Sequence, residues 1–250
     1  MDWKPFLWLA ASMLLLWLAN RWINRHLQGV ALLVANDSDI ATVLYALPLL
    51  PGVLLHELSH ALMAVLLGVG VGRISIWPRR QGGRIRLGTV PVEETDALRA
   101  SLIGLAPLLS GLTVILLVGH LVFGIDALGA ALLAGDLRRA SLSLTDALQA
   151  GDAWLWGYVI FAVSNTMMPS SSDRRGWLPV SFALLALGGL AWAVGLGPLL
   201  LEQLARPLGD ALRWLAVVFT FTVLVDVPFL LAIALAERLL ERVKGVRVEY

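Results

Sequence analysis

Long stretches of apolar residues alternate with short polar segments along the whole chain. The hydrocarbon core of a bilayer is about 30 Å thick, which a helix crosses in about 20 residues. We therefore predict an all-α polytopic membrane protein with about six transmembrane helices. The longest connection, at about 126–150, has the apolar spacing of one or two short amphipathic helices on the membrane surface. The predicted spans lie at about 5–22, 40–70, 98–124, 153–169, 177–200 and 210–236.

The composition supports the same class of protein. Hydrophobic residues make up 58% of the chain and charged residues 15%, whereas soluble domains are about half apolar and a quarter charged. We expect one integral membrane domain over residues 1–250, in contact with the lipid bilayer and with no soluble domain attached. The net charge of +1 gives no indication of nucleic-acid binding. Because the chain has no cysteine, any metal ligands must be His, Asp or Glu.

Basic residues predict the orientation, because they are enriched in cytoplasmic segments of membrane proteins. If the chain has six spans, thirteen of its nineteen basic residues share one side with both termini. We therefore expect both termini to be cytoplasmic. The thirteen are Lys4, Arg73, Arg79, Arg80, Arg84, Arg86, Arg99, Arg174, Arg175, Arg238, Arg242, Lys244 and Arg247, and the other six are Arg21, Arg25, Arg138, Arg139, Arg206 and Arg213.

The segment between the second and third spans predicts a small β-hairpin at the cytoplasmic face. Residues 74–77 and 84–87 each alternate apolar and polar side chains, and Gln81-Gly82-Gly83 between them is typical of a turn. One edge of this hairpin could pair with an extended substrate, although a surface hairpin without a role fits the pattern equally well. The side chains expected to contact substrate are Ile74, Ile76, Ile85 and Leu87.

Candidate chemistry lies within the second predicted span, in the sequence His56-Glu57-Leu58-Ser59-His60. Ionisable groups are costly in hydrocarbon and usually have a function there. Residues four apart share one face of a helix, so His56 and His60 can bind the same metal ion. The spacing is that of zinc metalloproteases, in which Glu57 would reach a water bound to the metal. The alternative is a set of unrelated polar residues within a helix bundle.

A catalytic zinc ion needs a third protein ligand beside the two histidines. Asp173 is the best candidate, because it follows Pro169 and three serines that end the fourth span on the side where the motif lies. Asp226, in the sixth predicted span, comes second, as a ligand, a proton carrier or a partner for the backbone freed by Pro228. Weaker candidates are His120, Glu202 and Glu237, and Asp173 could instead pair with Arg174 or Arg175.

These residues resemble the motifs of the site-2 proteases, a family of intramembrane zinc metalloproteases. The family has H-E-x-x-H in one span and an N-x-x-P-x-P-x-x-D-G type motif at the end of a later span. Here Asn165 and Asp173 are eight residues apart with Pro169 between them, and Ala106-Pro107 is similar to a Gly-Pro element of the family. The proline is shifted by one place, and Arg174 follows the aspartate where the family has glycine. The resemblance covers about residues 45–180, within a catalytic core of about 40–180, and the PDZ or CBS domains of many relatives are missing.

The resemblance implies an intramembrane zinc metalloprotease with one Zn²⁺ per chain, bound by His56, His60 and Asp173. Glu57 would be the general base, and Asn165 would help to hold substrate or the developing oxyanion. The implied partner is a single-span membrane protein or a signal peptide. The implied location is the cell membrane of a bacterium or archaeon, with the active site toward the cytoplasm.

Two other functions stay open. One is a membrane zincin of another class, in which a glutamate on a helix near the motif is the third ligand. The other is a pseudoprotease or transporter-like protein that binds metal or a client protein without cutting it. Asp226 with Pro228 favours the latter, since broken helices with acidic residues suit ion pathways.

Overall fold

The computed structural model describes residues 3–81, 84–149, 151–174 and 176–248. Helix accounts for 77% of the structure, and there is almost no strand. The helices are α1 (Lys4–Ala35), α2 (Ser38–Ala46), α3 (Leu50–Leu66), α4 (Ala97–Leu121), α5 (Ile125–Leu133), α6 (Leu137–Leu148), α7 (Ala153–Ser164), α8 (Trp177–Ala193) and α9 (Gly197–Lys244), and the strands are β1 (Arg79–Gln81) and β2 (Arg84–Arg86).

Local sequence explains where several helices begin and end. The side chains of Asp37 and Asp96 accept hydrogen bonds from the backbone N–H groups that open α2 and α4, as N-cap residues do. Asn36 and Gly245 adopt left-handed backbone conformations just after α1 and α9, which ends a helix. A short 3-10 turn at Leu47–Leu49 joins α2 to α3, so that 38–66 form one long apolar unit.

Within the described part of the chain, four helical segments are long and apolar enough to cross a membrane: Lys4–Ala35, Ser38–Leu66, Ala97–Leu121 and Gly197–Lys244. The membrane class of the protein is thus supported, but the predicted number of six spans is not confirmed. The fourth and fifth predicted spans correspond to α7 and α8, which have 12 and 17 residues. Helix α7 ends at Ser164, where a turn begins, and α8 ends at Ala193, shortly before the left-handed Gly195.

Helices α1 and α9 pack against each other in parallel. Near the beginning of α1, Trp8 Nε1 donates to Thr220 Oγ1 in the middle of α9 at 3.0 Å, and near the ends of both helices Lys244 Nζ donates to Asn36 Oδ1 at 2.9 Å. The beginning of α1 and the end of α9 therefore lie at opposite ends of this pair. Six spans with both termini on one side would require an antiparallel first and last span. These contacts do not support that prediction.

The segment between α3 and α4 forms an irregular antiparallel ladder. Its two strands pair Arg79 with Arg86 and Gln81 with Arg84, and farther out Ser75 and Thr89 exchange two backbone hydrogen bonds of 2.9 and 2.7 Å. The predicted pairing of residues 74–77 with 84–87 is not confirmed, because 74–77 contain only this isolated bridge.

The turn predicted within this segment is only partly described. Gly82 and Gly83 of the predicted Gln81-Gly82-Gly83 turn lie outside the described residues. After the turn, Ile85 and Leu87 are partly buried and pack against a core cluster that includes Leu49, Val53 and Phe161. This packing holds the second half of the ladder against α3.

Two larger buried clusters form the core. One contains residues of α4, α5, α6, α7 and α9, such as Ile115, Ile160 and Phe221. The other joins α1, α2, α3, α7 and α9, with the rings of Phe161 and Phe229 stacked at 4.2 Å. The short helices α5 and α6 occupy the region where one or two amphipathic helices were predicted. None of the residues of α8 is buried, as expected for a helix that faces lipid.

Candidate metal centre

Two histidines lie one turn apart on α3 and direct their rings into the same space. The Nε2 atoms of His56 and His60 are 3.1 Å apart, and the two rings meet edge to face with centroids 4.8 Å apart. This is the arrangement expected from their spacing of four residues on a helix. The Nε2 atoms of both histidines are thus available to the same metal ion.

Asp173 completes a group of three possible metal ligands. It lies in the turn between α7 and α8, and its Oδ1 is 3.3 Å from His60 Nε2 while its Oδ2 is 3.9 Å from His56 Nε2. Ligand atoms about 2.1 Å from a tetrahedral metal ion lie roughly 3.4 Å from each other. The three residues could therefore hold a metal ion.

A hydrogen bond from the ring of His60 to the backbone orients this side chain for metal binding. The Nδ1 atom of His60 lies 2.9 Å from the carbonyl oxygen of Ile103, to which it donates its hydrogen. With that hydrogen on Nδ1, the lone pair of Nε2 faces Asp173 and His56. Histidines that bind metals almost always have such a second hydrogen bond, which fixes the ring and the tautomer.

Asp173 is also held in place by its own turn and by α4. Its Oδ2 accepts a hydrogen bond of 2.6 Å from the backbone N–H of Ser170. Burial raises the pKa of Asp173, but hydrogen bonds from protonated His60 and from Ser170 lower it to about 2, so the side chain is a carboxylate at neutral pH. On the other side, a Cβ atom at Gly104 would lie 1.9 Å from the carbonyl oxygen of Asp173. Only glycine at position 104 allows α4 to approach the turn this closely.

Glu57 lies beside the three possible ligands and is 7% exposed. The chain after β2 passes directly over it, since a Cβ atom at Gly88 would lie 2.6 Å from Glu57 Oε1 and 2.7 Å from its Cγ. The carboxylate is thus confined between α3 and the backbone at Gly88. A confined carboxylate next to a metal centre can exchange a proton with a water molecule there.

A cleft of about 1110 Å³ contains all of these groups. One wall is the continuous segment 85–95, and the others come from α3, α4 and the turn after α7. Of the four hairpin residues predicted to contact substrate, Ile85 and Leu87 line this cleft. Ile74 and Ile76 are not among its lining residues and are 43% and 39% exposed. The hairpin therefore contributes its second half to the site.

Asn165 also lines the cleft, but its side chain forms hydrogen bonds with other groups of the protein. Its Nδ2 donates to the carbonyl oxygen of Phe161 at 2.9 Å and lies 3.3 Å from Asp226 Oδ1. Its Oδ1 accepts from Asn20 Nδ2 at 3.3 Å. In this arrangement the amide is hydrogen-bonded to neighbouring helices and does not face a substrate.

The other candidate ligands lie elsewhere among the described residues. Asp226 is buried against Ser164 and Asn165 and does not belong to the group of three. His120 pairs with Asp126 outside the group. Glu202 is exposed on α9. Glu237 pairs with His26 at 2.6 Å. The side chain of Arg174 donates to the carbonyl oxygen of Ser170 at 3.3 Å, and Arg175 lies outside the described residues.

Sequence reasoning missed several residues that shape the site. Gly88 and Gly104 act through the absence of a side chain, which no pattern of the sequence reveals. The sequence does contain a signal for Asn20, because Asn20 and Asn24 stand four residues apart at the end of a long apolar stretch and so lie on one face of the helix. Asn24 Nδ2 donates to the carbonyl oxygen of Asn20 at 2.8 Å.

No family model, curated protein or solved structure matches this chain. Its function has to be argued from the geometry of the site.

Proposed function

We propose that the chain is an intramembrane zinc metalloprotease similar to the site-2 proteases. The observation that carries this proposal is the convergence of Asp173, from the turn after α7, with His56 and His60 on the mostly apolar helix α3, where Glu57 lies beside them. Metal ligands with an adjacent carboxylate are the parts of a hydrolytic metal centre. Because His56, Glu57 and His60 lie in a segment long and apolar enough to span a membrane, membrane-embedded peptides are the natural substrate class.

Zinc is the metal that this donor set suits best. Two imidazole nitrogens and one carboxylate oxygen form a common catalytic zinc set that leaves a fourth position open. A zinc ion bound by the three side chains would acidify a water molecule and polarise a peptide carbonyl group. The hydrogen bond from His60 to Ile103 and the bond from the Ser170 backbone to Asp173 keep two of these ligands in place before metal binds.

Glu57 carries the proton transfers in this proposal. Its carboxylate takes a proton from water as the water oxygen forms a bond to the carbonyl carbon of the peptide. The same proton then passes from Glu57 to the nitrogen of the departing amine as the C–N bond breaks. The backbone at Gly88 passes close to Glu57 and limits how far the carboxylate can move between these two proton transfers.

The cleft suits a substrate in an extended conformation. A peptide bond within a helix is shielded by its own hydrogen bonding, so a transmembrane substrate has to unwind before it is cut. In the ladder, Thr89 uses both its N–H and its carbonyl group to pair with Ser75. The backbone groups of the neighbouring Gly88 and Val90 therefore point to the opposite edge, where an extended segment can add as a strand. We expect the substrate to be a single-span membrane protein or a signal peptide.

The test is a comparison of cleavage and metal content in purified protein. Glu57→Gln should retain about one zinc ion per chain and lose cleavage of a reconstituted single-span substrate by about 10²- to 10⁴-fold, the usual contribution of a general base. Glu94→Gln is the matched control, because Glu94 lines the same cleft away from the group of three possible ligands, and it should cut at nearly the wild-type rate. Wild-type cleavage by Glu57→Gln would refute the proposed mechanism.

The same experiment separates a protease from a non-catalytic protein. Asp226 is completely buried in α9, two residues before Pro228, and acidic residues near a helix proline suit ion pathways. A wild-type protein that binds zinc but cuts none of a panel of single-span substrates would favour a pseudoprotease or a transporter-like protein.

A further inference from the structure

Asn165 is the first residue after α7 and stands between that helix and the turn that carries Asp173. It is 6% exposed. Every polar atom of its side chain has a protein partner, in part from α1 and α9. Both of these helices lie outside the segment that resembles the family. The end of α7 is thus fixed by the first and last helices of the chain.

Asp226 provides the contact from α9. Its side chain is completely buried, and its Oδ1 lies 3.3 Å from Asn165 Nδ2 and 3.4 Å from Ser164 Oγ. An acidic side chain in an apolar helix is costly unless it is hydrogen-bonded. These contacts are made to the last residue of α7 and the residue after it, which is where the helix must stop.

Asn20 provides the contact from α1. Its Nδ2 lies 3.1 Å from the backbone carbonyl oxygen of Asn165 and 3.3 Å from its Oδ1. Asn20 is itself held by Asn24, whose Oδ1 accepts a hydrogen bond of 2.6 Å from the hydroxyl group of Tyr45. A chain of side-chain hydrogen bonds therefore runs from α2 through α1 to the end of α7.

We propose that Asp226 and Asn20 are positioning residues, which fix Asn165 at the end of α7 and thereby hold Asp173 against His56 and His60. Only seven residues separate Asn165 from Asp173, so a shift at the first is transmitted to the second. This inference uses the metal site of the proposed function but not its proteolytic activity.

Zinc affinity is the first measurement, made by competition with a chelator on detergent-purified protein without substrate. Asp226→Ala and Asn20→Ala should weaken zinc binding on the order of 10-fold, the lower end of what residues behind a metal ligand contribute. Asp226→Asn should stay within about 2-fold of wild type, because its amide oxygen can still accept the hydrogen bond from Asn165.

Two buried hydroxyl groups serve as controls on the same helices. Among the residues that the structure describes, Ser12 on α1 and Thr222 on α9 bond only to carbonyl oxygens of their own helices, those of Leu9 and Val218. Ser12→Ala and Thr222→Val should leave the zinc affinity unchanged. Equal losses in Asp226→Asn and Asp226→Ala would overturn the proposal, since a metal ligand or a proton carrier needs the carboxyl group itself.

Hydrogen exchange of metal-free protein is the second measurement, and it requires neither zinc nor activity. Asp226→Ala and Asn20→Ala should speed exchange in peptides covering 165–176, while Asp226→Asn and both controls should not. Unchanged exchange there in Asp226→Ala would refute the positioning role. A wild-type protein that binds no zinc would refute the proposed function, and the exchange experiment would still decide this inference.

Discussion

A Cβ atom at position 88 would lie 2.6 Å from Oε1 of Glu57, a distance at which either the backbone or the carboxylate has to move. Glu57 lies within α3, whereas Gly88 follows β2. The folded chain thus places a residue without a side chain directly over the proposed general base. Gly88 is part of the site through the space that it leaves for Glu57.

Gly88→Ala should impair cleavage much more than metal binding. The added methyl group displaces the Glu57 carboxylate, and a misplacement of about 1 Å can lower the rate of an enzyme by about 10²-fold. We expect a loss of about 10- to 100-fold in kcat, with about one zinc ion retained per chain. Gly189→Ala on α8 is the control, because its Cβ atom would meet no other group. A wild-type kcat in Gly88→Ala would show that Glu57 is not confined there.

Asp173→Ala should release the metal from the purified protein. The substitution removes the ligand that lies 3.3 Å from His60 Nε2 and leaves two histidines, which hold zinc far more weakly than three ligands do. Elemental analysis should show a fall from about one zinc ion per chain to almost none. Asp146→Ala, an exposed aspartate on α6, should keep its zinc. Full zinc content in Asp173→Ala, with loss in Asp226→Asn, would identify Asp226 as the ligand.

Gly104→Ala should affect the metal site and the fold together. Its methyl group would meet the backbone carbonyl of Asp173 at 1.9 Å, and backbone atoms cannot move aside as a flexible side chain can. Overpacking of this kind costs about 1–3 kcal/mol. A lower melting temperature and weaker zinc binding are the expected results. Gly157→Ala, where the Cβ atom would meet nothing, should be neutral or slightly stabilising, as alanine favours helix.

The parallel packing of α1 and α9 predicts the sidedness of the chain ends. Because the protein contains no cysteine, single cysteines can be introduced at exposed positions and labelled with a membrane-impermeant maleimide. Trp3→Cys and Val246→Cys should react from opposite sides of the membrane. Val34→Cys, near the end of α1, should react from the same side as Val246→Cys. Labelling of all three from one side would contradict the parallel arrangement as a pair of spans.

Part of the candidate site could be predicted from the sequence because it is local. His56 and His60 share a helix face through their spacing, and Glu57 is covalently next to His56. Asp173 is the leading candidate for the third ligand because it follows the end of a predicted span on the side where the motif lies. The structure brings it to the histidines. The shape of the turn after α7 could not be predicted, because Pro169 and Arg174 depart from the family pattern.

The membrane class, the helical content and the histidine pair were determined by the sequence alone, since apolar length and helix periodicity depend on neighbouring residues. Tertiary structure decided the rest. The parallel course of α1 and α9, the contact of Gly88 with Glu57 and the bonds of Asn165 to Asn20 and Asp226 all join segments far apart in the chain. Such contacts depend on how helices pack and where loops return, and a single sequence encodes these only through the free energy of the whole fold.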